Sequence, residues 1–247
     1  MNYLFTGIEL QIDKGFGITA DAYFKSAEHL LNNHFENYDS TQQAEMPQNY
    51  LYRHSIELYL KSLIIIFHRK LKLDFGTVLY DSEDPEVCIE GKWIKLYKCH
   101  FIDKLYGYWL NDLLLNKIEL LKEIAPKGEW HETERITELF SLISKYDQDS
   151  SFFRYPITKN NSLDHKKYTM QKFKATNMKD YIKNIQKQNI PKKGTITMLL
   201  VDENDNIVDA FKQNKNVLSD VRDALKEIAF YFHCIHIMTR KTLCGGM

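Results

Sequence analysis

The residues of this chain that could do chemistry are six polar side chains, four of them within one short segment. They are Arg53, His54, Glu57, Lys61, His100 and Arg154. In a helix, the spacing of four between Arg53, Glu57 and Lys61 puts a base, an acid and a base along one stripe. An ion-pair ladder on a surface would use the same stripe, and so would a buried polar network.

Other kinds of chemistry find little support in the sequence. The chain has no Gly-x-Ser-x-Gly elbow and no phosphate-cradling glycine loop. His233 and His236 share a helix face but lack the acidic partners of a metal site, and residues 202–206 indicate a hairpin turn rather than a calcium loop. The four cysteines show no short paired spacing. We therefore predict neither a metal nor a cofactor.

Composition restricts the partners. Lys+Arg and Asp+Glu are both 33, so no global charge draws the 247-residue chain to nucleic acid or to an acidic membrane. The lysine-rich segment 165–193 would supply a local basic patch, or it is a solvated surface. Residues 1–17 do not resemble a signal peptide, and the apolar run 63–67 is too short to span a bilayer. We expect a cytoplasmic protein without a membrane partner.

Hydrophobic periodicity predicts a mainly α protein of one domain, residues 1–247. Helices are predicted where apolar residues recur at spacings of three and four. They span residues 18–37, 48–71, 100–124, 132–146, 177–188 and 217–241. Thr19 is the expected cap of the first helix. The second is apolar on nearly all sides over residues 63–67, which predicts a central position in a bundle.

Two β-hairpins are predicted between the helices. The first, in residues 74–99, would pair strands 77–80 and 93–97, with Glu90-Gly91 among the turn signals. The second, in residues 195–211, would fold about the Asp/Asn-rich turn 202–206.

Three motifs in order resemble the HEPN superfamily (higher eukaryotes and prokaryotes nucleotide-binding). They are Arg-His-Ser-Ile-Glu-Leu-Tyr-Leu-Lys-Ser-Leu from Arg53, His-Phe-Ile-Asp-Lys-Leu from His100, and Phe-Arg-Tyr-Pro around Arg154. The match covers roughly residues 48–156. The resemblance implies an up-down helical bundle that forms a homodimer. It also implies binding of RNA or nucleotide, and a ribonuclease in a bacterial defence or toxin–antitoxin context.

The resemblance also implies roles for the six candidates. Arg53, His54 and Arg154 would be catalytic, stabilising phosphate charge and assisting attack by a 2′-hydroxyl. The substrate-binding residues would be Glu57, Lys61 and His100. However, none of the six arginines is followed at four to six residues by a His, as the family's catalytic signature requires.

Two functions therefore stay open. If the candidates meet in an open, positive cleft, the protein binds RNA or nucleotide there, and Arg53→Ala or Arg154→Ala should weaken binding without changing the melting temperature. If they are buried in mutual hydrogen bonds, they hold the loop around Arg154 against the bundle. The protein is then a non-catalytic homodimeric module.

Overall fold

The computed structural model describes residues 5, 7–32, 45–131, 134–159, 161–174, 196–204, 206–214 and 217–246. The described residues form two compact units. One holds those of 1–34, 46–155 and 220–247, and the other those of 35–45 and 156–219. The predicted helix at residues 177–188 lies outside the described residues. The mainly α class is confirmed, whereas the single domain and the HEPN-like topology stay predictions.

The larger unit contains most of the helices and a two-stranded sheet. Its elements are α1 (Phe16–Asn32), α2 (Glu45–Leu71), β1 (Glu86–Ile89), β2 (Lys92–Lys95), α3 (Ile102–Gly107), a π-helical segment (Tyr108–Leu115), α4 (Ile118–Ile124), α5 (Glu134–Ser144) and the last helix, α7 (Ser219–Thr242). Short 3-10 turns lie at Ile8–Leu10 and Leu96–Lys98.

Helix α2 is the central helix of this unit, as its apolar pattern predicts. Every residue from 55 to 68 is buried. The Phe67 ring lies 6.4 Å from that of Trp109 and 5.8 Å from that of Trp130, centroid to centroid. The Phe232 ring of α7 also contacts Trp109, with its centroid at 5.3 Å. Aromatic rings packed in this way contribute much of the stability of a protein core. The polar residues on α2 therefore project from a helix that this packing holds in place.

The start of α1 and the end of α7 meet at Asp13. Its carboxylate accepts hydrogen bonds from the Gly17 N–H at 2.9 Å, from the Ser62 hydroxyl at 2.5 Å and from the Arg240 guanidinium. Asp13 and Arg240 are both fully buried. Asp13 thus caps α1. The prediction that Thr19 is the cap was wrong, because α1 begins three residues earlier, at Phe16.

The first hairpin forms within residues 74–99, but its first strand is not where the sequence suggested. Glu90 and Gly91 have φ angles of 53° and 78°, the left-handed pair of a type I′ turn. This turn pairs Ile89 with Lys92 and so fixes β1 at Glu86–Ile89. Residues 77–80 do not form a strand, because the chain turns at Gly76 and makes only an isolated bridge between Phe75 and Val78.

The predicted helix over residues 100–124 is interrupted. Its middle, Tyr108–Leu115, is π-helical, and the Asn116 N–H donates to the Asn111 carbonyl five residues back, at 3.3 Å. Lys117 then leaves the helical region, with φ −116° and ψ 15°. The segment buries Trp109 and Leu113 in the core. Their spacing also fits an uninterrupted α-helix, so the sequence pattern does not reveal the π-helical interruption.

The smaller unit contains a three-stranded antiparallel sheet. Its elements are α6 (Asn161–Asp164), a 3-10 turn (His165–Lys167), β3 (Met170–Lys172), β4 (Thr197–Val201) and β5 (Ile207–Gln213). The strand order is β3-β5-β4, so the predicted hairpin β4–β5 is present and gains a third strand.

In the lysine-rich segment, Lys167 is buried and pairs with Asp164 at 2.6 Å. Residues 175–193 of that segment lie outside the described residues.

Candidate functional site

Four of the charged side chains near the middle of α2 are withdrawn from solvent. Arg53 and Glu57 are each 1% exposed, Lys61 is 2% exposed, and Asp147, which follows α5, is 4% exposed. We call these four residues the buried charge network. Ionised side chains are rarely buried to this degree unless they are paired, so the network must satisfy its own charges.

Each of the three guanidinium nitrogens of Arg53 has a hydrogen-bond partner. Its Nε donates to Asp147 Oδ2 at 2.7 Å, and its Nη1 donates to Glu57 Oε2 at 2.5 Å. Its Nη2 donates to the His100 carbonyl oxygen. Lys61 Nζ completes the stripe by donating to Glu57 Oε1 at 2.8 Å. The i, i+4 spacing that the sequence displays is therefore a buried ladder, and it is extended by an acid 94 residues away.

Charge balance makes this burial tolerable. Arg53 and Lys61 supply two positive charges, and Glu57 and Asp147 supply two negative charges. Burial alone would favour the neutral form of Glu57. Lys61 and Arg53 outweigh it and hold the pKa of Glu57 at about 2. Glu57 is therefore ionised near pH 7, and the formal charges of the four side chains sum to zero.

His100 lies at the rim of the network. Its Nδ1 is 2.9 Å from Glu57 Oε1, while 46% of its side chain is exposed. An ionised carboxylate only accepts hydrogen bonds, so Nδ1 carries the proton in this contact. When the ring is neutral, Nε2 is then a hydrogen-bond acceptor. The hydrogen bond to Glu57 thus fixes the orientation of the His100 ring.

Asp147 is the member of the network that sequence reasoning missed. Its Oδ1 accepts a hydrogen bond from the Phe152 N–H at 2.9 Å while its Oδ2 accepts from Arg53. Phe152 and Phe153 are both buried, so Asp147 ties the loop that carries Arg154 to α2. One signal could have indicated it: the stripe has two bases and one acid, and a buried stripe needs a second acid.

The other two candidates, His54 and Arg154, lie among aromatic rings. The His54 ring stacks on Tyr50 with centroids 5.6 Å apart and 7° between the planes, and Tyr23 meets its edge at 4.6 Å. The Arg154 guanidinium lies 6.0 Å from the Tyr50 centroid. We call Tyr23, Tyr50, His54 and Arg154 the ring face.

Solvent reaches part of the ring face. Arg154 is exposed, and its Nη2 donates to the Ser150 hydroxyl at 3.2 Å. His54 is half-buried, and its Nδ1 has no hydrogen-bond partner among the described residues. Burial lowers the pKa of His54, and although Glu57 opposes this, the cations Arg53, Lys61 and Arg154 add to it. The neutral ring is therefore favoured.

The six candidates consequently fall into two groups. Arg53, Glu57, Lys61 and His100 are hydrogen-bonded to one another, whereas His54 and Arg154 are linked through Tyr50. Successive residues of a helix point about 100° apart, which separates the neighbours Arg53 and His54. The first group offers solvent one imidazole edge, and the second offers a cation and ring surfaces.

A metal site is not apparent in the described part of the chain. Among those residues, no group of three His, Cys, Asp or Glu side chains is arranged to hold a metal ion. The helices that the structure describes also include none that is long and apolar enough to cross a membrane.

Searches against protein-family models, curated proteins and solved structures find no significant match to this chain.

Proposed function

We propose that the protein binds nucleotide or single-stranded RNA at the ring face. The observation that carries this proposal is the exposed Arg154 guanidinium over the ring of Tyr50, which itself stacks on His54. Aromatic side chains stack nucleobases, and an arginine beside them pairs with phosphate or stacks on a base. This proposal agrees with the nucleotide-binding role that the HEPN resemblance implies.

The buried charge network supports this face and does not take part in cleavage. Arg53 has a partner at each of its three nitrogens and is 1% exposed, so it cannot reach a phosphate without unfolding its surroundings. A ribonuclease of the defence or toxin–antitoxin kind would have to use the imidazoles of His54 and His100. Those two residues are the ones to replace if RNA is cleaved.

Fluorescence anisotropy with labelled 12-nucleotide oligo(A) and oligo(U) tests the proposal. Arg154→Ala should weaken binding about tenfold, since losing one stacking or phosphate contact costs on the order of 1–3 kcal/mol. Arg135→Ala is the matched control, because Arg135 is also an exposed arginine but pairs with Glu227 and is not part of the ring face. An equal loss in both variants, or no binding to either oligonucleotide, would contradict the proposal.

A second candidate is a non-catalytic homodimeric module, and the burial of Arg53, Glu57 and Lys61 in mutual hydrogen bonds favours it. In this function the network only stabilises the fold. The module predicts a concentration-dependent dimer in sedimentation velocity, together with no binding of either oligonucleotide. A monomer at every concentration that still binds RNA through Arg154 would exclude it.

A further inference from the structure

An open cavity of about 790 Å³ lies on the larger unit, and none of the ring-face residues lines it. One wall is formed by Ile124, the last residue of α4, together with residues 125–127 and Glu129, and the other by the C-terminal half of α7. Ile124, Phe230, Ile237 and Met238 make these walls largely apolar. A volume of this size falls within the range of small-molecule sites, which typically combine apolar walls with a few fixed polar groups.

The fixed polar group of this cavity is His233. Its Nδ1 lies 3.1 Å from Asp21 Oδ1 and 2.9 Å from the Tyr59 hydroxyl, and its ring stacks on Phe24 at 5.0 Å. Burial opposes the charge of Asp21, but the hydrogen bonds from His233 and Lys25 hold its pKa at about 2. Because an ionised carboxylate only accepts, Nδ1 carries the proton in this contact, and when the ring is neutral Nε2 is an acceptor.

The charges around the cavity favour an anion. Lys127 and Lys241 line it, against one acid, Glu129. Both lysines are exposed, so their long side chains can reach a head group while apolar surface stays covered. The walls, the acceptor and the cations together define three chemical features of a ligand.

We propose that this cavity binds a small molecule with an apolar chain or ring, one hydrogen-bond donor and one carboxylate, the chemistry of an N-acyl amino acid or a hydroxy acid. The apolar part lies against Phe230 and Ile237, and the donor bonds to Nε2 of His233. The carboxylate lies between Lys127 and Lys241. The site is independent of the ring face and of whether the protein binds RNA.

Isothermal titration of the whole protein with N-octanoylglycine tests this assignment. Saturable binding is expected, with the methyl ester about tenfold weaker, because the ester removes the charge. Lys241→Met should weaken binding about fivefold, as expected for an exposed ion pair. Lys122→Met is the matched control, since Lys122 is exposed on α4 but does not line the cavity. Equal binding of acid and ester would overturn the proposed carboxylate site.

Two further experiments test where the ligand binds. His233→Phe should weaken N-octanoylglycine but not octanoate, which lacks the amide donor. N-octanoylglycine should also slow alkylation of the exposed Cys234, which lines the cavity, while the buried Cys99 and Cys244 stay unreactive in the folded protein. Absence of saturable binding, or alkylation at an unchanged rate under saturating ligand, would overturn the proposal.

Discussion

The buried charge network and the ring face start from adjacent residues of one helix and end in opposite environments. Arg53 is 1% exposed and hydrogen-bonded to two carboxylates, whereas His54 is half-buried, stacked on Tyr50 and met edge-on by Tyr23. A single sequence motif can therefore contain a structural residue and a candidate binding residue side by side. The rotation of the helix between them decides which is which.

The largest test of this contrast is Arg53→Ala. The substitution leaves Glu57 and Asp147 with less compensation in a dry environment, and breaking a buried ion pair in this way costs about 3–5 kcal/mol. We expect a corresponding fall in the free energy of unfolding in urea. This differs from the sequence-based expectation of an unchanged melting temperature. Stability within 1 kcal/mol of wild type would show that the network does not support the fold.

Lowering the pH should remove the stability that the same network contributes. The pKa of Glu57 is about 2 in the folded protein, below its usual 4.5, so its contribution is complete above about pH 4.5 and is lost as the pH falls toward 2. The shift corresponds to about 3 kcal/mol. Urea unfolding across this range should therefore show a smaller pH dependence in Glu57→Gln than in wild type. Glu119→Gln, at an exposed site, serves as the control.

Tyr50→Ala should have an intermediate effect. It removes the ring that stacks on His54 and lies beneath Arg154. An aromatic pair of this kind contributes about 1 kcal/mol beyond its buried area. We expect a small drop in thermal stability by calorimetry and a large drop in oligonucleotide binding. A loss of stability as large as that of Arg53→Ala would place Tyr50 with the structural group.

Arg154→Ala should have the smallest effect on stability. The side chain is exposed, and its described contacts are with the Ser150 hydroxyl and the face of Tyr50. Surface substitutions of this kind change the free energy of unfolding by no more than about 0.5 kcal/mol. Urea unfolding and anisotropy on the same sample should show wild-type stability with weakened RNA binding. Destabilisation by more than 2 kcal/mol would remove the distinction between the two regions.

The parts of the fold that depend on local pattern could be predicted from the sequence. The central position of α2 follows from its all-round apolar run, and the Glu90-Gly91 turn follows from its residue types. The π-helical segment could not be predicted, because Trp109 and Leu113 fit an ordinary helical stripe equally well. Likewise the strand at Glu86–Ile89 was missed because residues 77–80 have a similar strand composition.

The candidate site shows the same limit. The spacing of Arg53, Glu57 and Lys61 predicted that they share a face, and they do. Whether that face meets water or the core depends on distant residues. Asp147 supplies the missing charge from 94 positions away, and nothing in its own surroundings indicates this. The separation of His54 from Arg53 required the orientation of α2, which only tertiary packing sets.

The contact between Asp13 and Arg240 has a consequence for how the chain is made. The two residues are 227 positions apart, and translation proceeds at about 5–20 residues per second. Roughly 10–45 s therefore pass between the synthesis of Asp13 and that of its partner Arg240. Until then α2 lacks the cover that α7 gives it, and Trp109 lacks its contact with Phe232. The nascent protein thus has an interval in which chaperones can bind this open surface, and release of the last helix closes it.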